Sequence, residues 1–253
     1  MKYSSPTPIF IINLPQSTER KKFIIDQFDN LEIPLDYRFF NAVHGKENPD
    51  FYLFKKYNEK KYFQRKGKKL SLSQLGCWAS HYLLWEKCVE LNQPFVILED
   101  DAIIKSNFLD AYQFISSKNN GFEFLWLSIP SPDKRKQSYK IIHRISNSKN
   151  SVARFYKSWA NTTGYYLTPN AAQKLLNHSQ EWFYEVDTQI ERYWETKIPY
   201  LAIVPFCIEP DLSKESNIST IKTKKSFIIK LKREWHRLKD LVNRFLFNLK
   251  HRG

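Results

Sequence analysis

Apolar positions along the chain recur with two periods, and the alternation of the two sets the expected architecture. Short apolar runs of strand length occupy residues 8–14, 35–43, 95–98, 122–128, 163–167 and 201–205. Helical spacing appears between them. Over 17–30, Phe23, Ile24 and Phe28 recur at helical intervals behind a Ser17 or Thr18 cap, with Glu19 in the electropositive first turn. The tetrad Ser71-Leu-Ser-Gln74 has the form of a capping box. Behind it Leu75, Trp78, Tyr82, Trp85 and Val89 step by three and four residues, giving one apolar helical face that ends near Asn92, before Pro94. Further helices are expected around 107–117, over 171–176 with Pro169 opening the first turn, and over 187–194. Strand and helix alternate, which predicts an α/β chain with a largely parallel sheet flanked by helices.

Two polar stretches interrupt this rhythm. Residues 46–69 are basic and irregular, and the pattern predicts a mobile excursion away from the core. Residues 129–151, rich in Pro, Ser, Asn, Lys and Arg, predict a long loop over a site. At the C-terminal end Ile228, Leu231, Trp235, Leu238, Val242, Phe245 and Leu249 recur every three or four residues with Lys and Arg between them. That is a basic amphipathic helix with an aromatic-bearing apolar face, as expected of a helix lying on anionic lipid; packing on the protein's own body or in a dimer seam is the alternative.

Charge sharpens the division. The 253 residues carry a formal net charge of +14, and the stretch 222–252 holds eleven Lys/Arg against Glu234 and Asp240. Most of the excess therefore sits on the tail, where each Lys or Arg near an anionic surface contributes about 1 kcal/mol. Two units are expected: a catalytic body over 1–220 and the membrane-associating helix over 221–253. At 42% hydrophobic residues the body can bury one sizeable core. Three cysteines (Cys77, Cys88 and Cys207) with no CxxC spacing predict free thiols in a reducing compartment and argue against a zinc cluster. The N-terminal MKYSSPTPIFIINL is too short and too polar for a secretory signal, and no run approaches the roughly 20 apolar residues of a membrane span. The expected location is the cytosol or a membrane surface. Neither GxGxxG nor GxxxxGK[ST] occurs, so standard dinucleotide and P-loop sites lack support.

The chemistry concentrates at FVILEDDAII, residues 95–104, where Glu99, Asp100 and Asp101 interrupt an apolar run. Ligands of open α/β sheets bind beyond the carboxyl ends of strands, and these acids lie at such an end. If the strand persists, Glu99 and Asp101 share one face and Asp100 takes the other. Two carboxylates facing one crevice repel unless a cation sits between them, and oxygen ligands favour Mg²⁺ or Mn²⁺. A solvated acidic turn is the bland alternative.

The neighbouring segments resemble a known family. "IFIINLPQSTER", "NAVHGKE", "LSQLGCWASHYLLWEKCVELNQPFVILEDDAII", "TGYYLTPNAAQKLL" and "EVDTQIERYW" are similar to successive blocks of the glycosyltransferase family 25 enzymes, which build bacterial lipooligosaccharide. The resemblance covers roughly 8–220, and its specific part is the combination Gly-Cys, Ser-His and Glu-Asp-Asp. It implies a GT-A type, Rossmann-like fold and inverting transfer of a hexose, with galactose the first expectation. The donor would be a UDP-sugar and the acceptor a saccharide hydroxyl of a lipid-linked oligosaccharide, with Mn²⁺ (or Mg²⁺) assisting. The resemblance also narrows the location to the cytoplasmic side, peripheral on the inner face of the bacterial inner membrane. Carried over by residue, the resemblance makes Asp101 the direct metal ligand with Glu99 beside it, and turns Asp100 to the donor sugar or ribose. Asn13, Leu14 and Arg20 after the first strand, and His44 and Gly45 after the second, would border the nucleotide; Gly45 alternatively serves a turn, since Gly accepts positive φ. Ser80 and His81 would contact the donor or orient the acids. The general base would be Asp187, with Glu185 as runner-up; a plain helix cap is the other role open to Asp187. Cys77 is expected to pack the helix, Trp78, Tyr82 and Trp85 to lie in the core, and Tyr165 and Tyr166 to line the sugar site or the core. A nucleic-acid-binding module is disfavoured because the charge is concentrated in one tail. A metal-dependent phosphoesterase would need further His/Asp clusters.

Overall fold

The computed structural model describes residues 6–213 and 227–250. The expected boundary at 220/221, and tail residues 222–226 and 251–252, lie outside the described residues. Among the described residues, ten strands and eight α-helices follow in chain order: β1 (Ile9–Asn13), α1 (Thr18–Asp29), β2 (Tyr37–Asn41), α2 (Glu59–Lys66), α3 (Leu72–Glu90), β3 (Phe95–Glu99), β4 (Ala102–Ile104), α4 (Phe108–Ile115), β5 (Phe124–Trp126), β6 (Tyr139–Arg144), β7 (Ser151–Phe155), β8 (Gly164–Leu167), α5 (Pro169–His178), α6 (Val186–Ile190), α7 (Tyr193–Thr196), β9 (Leu201–Val204), β10 (Ile208–Pro210) and α8 (Phe227–Lys250).

Eight strands form one sheet in the order β2-β1-β3-β8-β5-β9-β7-β6, and β10 pairs with β4 in a small ribbon. The α/β class and the flanking helices are as expected. Parallel pairing is confined to β2-β1-β3 and β5-β9, while β8, β7 and β6 join antiparallel, so the sheet is mixed. Strand alternation feeds two cores. Phe10, Ile12, Phe95 and Ile97 point to the layer built by α3 and α5. Ile9, Ile11, Val96 and Leu98 point to the opposite layer, with Ile24 and Phe28 of α1 and Phe108 and Tyr112 of α4. Both faces of β1 and β3 are therefore buried, which is why these strands are continuous apolar runs.

The capping box at the start of α3 is present in both directions: Ser71 Oγ accepts from the Gln74 N–H, and Gln74 Oε1 from the Ser71 N–H. Trp78, Tyr82 and Trp85 are buried as expected, and Trp78 stacks on Trp182 at 4.6 Å. The helix is also buried off that stripe, at Gly76, Ala79, Ser80, His81, Leu84 and Cys88. It is a central element buried over most of its surface, with exposure confined to positions such as Leu72, Glu86 and Glu90 towards its ends.

Three expectations need correction. Residues 46–69 are not an excursion: Leu53 and Tyr62 are fully in the core, and Asn58 caps α2 while its N–H bonds to Trp182 O at 2.9 Å. Few apolar positions among many lysines concealed this cover. Residues 129–151 are not one long loop, because β6 and β7 form an edge hairpin. Every residue of β6 is exposed, so its Lys, His and Arg side chains left no alternation to detect. Residues 187–194 form two short helices, since Glu191 and Arg192 turn inward at the break between them.

The loop after β2 lies tightly on the first turn of α3. A Cβ on Gly45 would collide with Leu72 O, and one on Gly76 with Val43 O and with Gly45 N at 2.9 Å. Neither glycine is among those at positive φ, so close backbone approach, not a turn, requires Gly45. Gly76→Ala is expected to destabilise the protein by about 1–3 kcal/mol, as overpacking does. Urea denaturation checks this, and an unchanged midpoint would contradict the close-packing account.

Candidate active site

The carboxyl ends of β1, β2 and β3 and the segment entering β8 surround a cleft of about 740 Å³. Leu14 and Arg20 follow β1, His44 and Gly45 follow β2, Glu99 ends β3 and Asp100 and Asp101 follow it; all seven line the cleft. Cys77, Ser80 and His81 of α3 supply one wall, together with Asp187 of α6 and Ala160–Thr163 before β8. Sequentially distant motifs converge here because parallel strands deliver their carboxyl ends to one edge.

The three acids at the end of β3 occupy unlike environments. β3 ends at Glu99 and a turn follows, so strand alternation does not govern where Asp100 and Asp101 point. Asp100 is buried with both oxygens engaged: Asn13 Nδ2 donates to Oδ2 at 2.8 Å and Arg20 Nη1 to Oδ1 at 3.0 Å. From the cleft wall it ties the first strand's exit to the acidic turn. Asn13 acts through Asp100 and is not itself on the cleft wall.

Glu99 stands on a chain of donors rooted in the core. Trp85 Nε1–H donates to the Tyr165 hydroxyl at 2.9 Å. That hydroxyl is hydrogen-bonded to His81 Nδ1 at 2.8 Å, and on the other side of the ring Nε2–H donates to Glu99 Oε1 at 3.1 Å. Thr162 Oγ1 donates to the same oxygen at 2.6 Å. Burial pushes the Glu99 carboxyl up, but the His81 and Thr162 bonds and the Arg20 charge outweigh it and hold the carboxyl below its ordinary range. His81 is thus neither a bare ligand nor a plain core residue; it orients Glu99. Tyr165 belongs to this support and is completely buried, and Tyr166 packs in the opposite core.

Asp101 lacks such support. Its Oδ1 is buried without a hydrogen-bond partner. Burial and the negative charges of Glu99 and Asp100 push its carboxyl up to about 7. An unpartnered carboxylate oxygen beside a second carboxylate, opening on a cleft, fits a hard divalent cation held by oxygen donors. Glu99 can share it, because both of its bonds described above fall on Oε1 alone. Cys77 Sγ, His81 and Glu99 also lie within 4.8 Å of one another. Both ring nitrogens of His81 are already committed, however, and burial together with Glu99, Asp187 and Asp101 pushes the Cys77 thiol well up, so a soft-metal site fits poorly.

Ser80 accepts the Val43 N–H at 2.9 Å and donates to Gly76 O at 2.8 Å, fixing the loop that carries His44 and Gly45. His44 Nδ1 accepts the Glu47 N–H at 3.0 Å, which steadies the turn.

The two candidate bases separate clearly. Asp187 lies in the first turn of α6 and lines the cleft; the N-cap position belongs to Glu185, so a plain cap does not explain Asp187. Burial, Glu191 and Glu185 push the Asp187 carboxyl up to about 7. Glu185 is absent from the cleft wall. Lys66 and Lys68 approach it at 2.6 and 3.1 Å and Tyr62 OH donates at 2.7 Å, and these hold its carboxyl at about 2 against the opposing effect of burial. Glu185 is a structural anchor for α2.

Glu191 was not foreseen. Its carboxylate accepts from Ser158 Oγ at 2.8 Å, the Trp159 N–H at 2.7 Å and the Ala160 N–H at 3.1 Å. It thereby holds the cleft-lining Ala160 at φ 52, a left-handed conformation that alanine rarely adopts. Its proximity to Asp187 in "EVDTQIERYW" was the available signal.

Residues 6–190 match the family described as glycosyltransferase family 25 (LPS biosynthesis protein). The chain belongs to glycosyltransferase family 25. A glycosyltransferase 25 family member from Anopheles gambiae is 30% identical over 179 residues, which is 66% of this chain and 28% of that protein. Procollagen galactosyltransferase 1-A of Xenopus laevis is 26% identical over 177 residues, covering 67% of this chain and 28% of its own length. Lipooligosaccharide biosynthesis protein lex-1 of Haemophilus influenzae is 26% identical over 193 residues, 66% of this chain and 62% of that one. The chain spans little more than a quarter of the animal relatives it matches. Asp187 falls inside the family match, whereas α7, β9, β10 and α8 lie beyond it.

In this family 25 chain the Glu185 cluster also sets a pH limit. A carboxyl at about 2 in the fold and 4.5 unfolded contributes stability that is complete above pH 4.5 and is lost as pH falls towards 2. The shift corresponds to about 3 kcal/mol. Glu195, also held at about 2, titrates in the same window. Glu185→Gln is therefore expected to reduce, not abolish, the steepness of acid unfolding between pH 4.5 and 2, as followed by circular dichroism. An identical acid profile would contradict the assignment.

Proposed function

We propose that this family 25 glycosyltransferase is an inverting hexosyltransferase that moves galactose from UDP-galactose to a saccharide hydroxyl of lipooligosaccharide. The observation that carries the catalytic half of this reading is the unpartnered Asp101 oxygen beside Glu99 in a cleft shared with Asp187. The sugar and acceptor rest on the relatives' names, a procollagen galactosyltransferase and a lipooligosaccharide biosynthesis protein. The cleft volume lies within the range of about 300–1,000 Å³ usual for ligand pockets.

Asp101 and Glu99 would hold a divalent cation, Mn²⁺ or Mg²⁺. When bound, that cation neutralises charge developing on the departing diphosphate. The remaining tasks fall to side chains. Arg20 and Asp100 fix the loop after β1, and Leu14, His44 and Gly45 border the nucleotide. The Trp85-Tyr165-His81 chain keeps Glu99 ionised and correctly turned. Inversion requires one direct displacement at the anomeric carbon, in which the acceptor oxygen forms the new bond as the bond to the diphosphate oxygen breaks. Asp187 takes the proton from that acceptor hydroxyl. A carboxyl at about 7 suits the role, since a base is most effective when its pKa lies near the working pH.

Two outcomes test the assignments. Asp187→Asn is expected to abolish transfer while UDP still raises thermal stability in the presence of Mn²⁺; normal transfer by this variant would overturn the base. The wild-type rate should rise with pH through about 7, because the base must be ionised, and fall on the acid side. Asp101→Asn is expected to lose the Mn²⁺-dependent part of UDP stabilisation by thermal shift. An undiminished Mn²⁺ effect would remove Asp101 from the cation site.

A further inference from the structure

α8 is docked back to front. Amphipathic helices normally bury their apolar face against the body and leave the polar face in water. Here the polar face is the attached one. Arg192 forks onto Asp240, with Nη1 to Oδ2 at 2.9 Å and Nη2 to Oδ1 at 2.7 Å, while Glu195 holds the same guanidinium from the other side. The guanidinium stacks over Tyr184 at 4.2 Å. Tyr193 OH donates to Asn248 Oδ1 at 2.9 Å, and the Tyr193 ring meets Phe247 at 5.5 Å. The opposite face is bare: Leu231, Trp235, Leu238, Val242, Phe245 and Leu249 are each about half exposed or more, up to 65% at Trp235.

We infer that this outer face of α8 is a membrane-docking surface that lies in the headgroup region of an anionic bilayer. Charge selects the occupant. Among Phe227–Lys250 there are seven Lys/Arg and two acids, and both acids are spent internally: Asp240 on Arg192, and Glu234 on Arg233 and Arg237. An unneutralised row of cations flanks a continuous apolar stripe bearing Trp and Phe, which is the composition of an interfacial helix. A second copy of the chain would bring two such basic rows together and is disfavoured by their repulsion. No helix among the described residues is long and apolar enough to cross a membrane, so the contact lies along the surface. The ion-paired attachment keeps the stripe directed outward before any lipid is met.

The full-length protein should sediment with vesicles of phosphatidylethanolamine and phosphatidylglycerol, more weakly at high salt, and stay in solution with pure phosphatidylcholine. The double variant Leu238→Glu, Phe245→Glu should bind the anionic vesicles about tenfold less tightly or worse, with an unchanged thermal midpoint because both residues are exposed. Transfer to a soluble saccharide should persist in that variant, and vesicle binding needs neither donor nor cation, so this inference and the proposed transferase reaction fail separately. A wild type that remains in the supernatant with anionic vesicles overturns the inference. So does equal sedimentation of the double variant. A wild-type dimer by light scattering that the double variant dissociates, without vesicle binding, also overturns it in favour of a second copy.

Discussion

Three carboxylates at the end of one buried strand must each find compensation where water is scarce, and the surroundings of the cleft are organised by how each finds it. A buried carboxylate left alone is costly, so it is bonded, paired or protonated. Asp100 is paired with Arg20 and Asn13, which stitches the exit of β1 to the exit of β3. Glu99 is hydrogen-bonded, by Thr162 and through a line running from Trp85 by way of Tyr165 and His81. Asp101 keeps one buried oxygen, Oδ1, without a hydrogen-bond partner, and burial with the charges of Glu99 and Asp100 pushes its carboxyl up to about 7. The contrast identifies the place where a ligand would relieve strain: two of the acids are complete within the fold, and the third is not.

The same reasoning explains why α3 is buried well beyond its apolar stripe. Its Leu75-Trp78-Tyr82-Trp85 stripe builds the core, as its spacing required. Its other faces carry Gly76, which admits the loop after β2, then Ser80, which fastens that loop, then His81, which fastens Glu99. One helix therefore sets the heights of two strand exits relative to each other. Ser80 and His81 are polar residues of that helix that do not face solvent, because each has bonding partners inside the protein.

This division marks what was legible in the sequence. Features that are periodic or compact could be read: the strands β1 and β3, the capping box, and the placing of the acidic turn and Asp187 on one cleft. Contacts with long-range partners could not. Nothing near residue 165 announces that Tyr165 supports His81, and strand alternation does not reach Asp100 because the strand stops at Glu99. Glu185 and Asp187 are two residues apart and equally acidic in sequence. Lys66 and Lys68 on a distant segment make the first an anchor, while burial near Glu191 makes the second a base candidate. The cover formed by 46–69 was hidden for a related reason: a handful of apolar side chains carry its packing, and lysines dominate its composition.

The segment from Glu185 to Glu195 joins these features. Asp187 faces the cleft, Glu191 holds the cleft-lining loop at Ala160, and Arg192 grips α8. Glu191 and Arg192 are adjacent and both buried, and their burial breaks what would otherwise be one helix into α6 and α7. The break is costly in helical hydrogen bonds, yet it lets consecutive side chains point to opposite sides, one towards the cleft loop and one towards α8. A continuous helix would separate them by only about 100° around its axis.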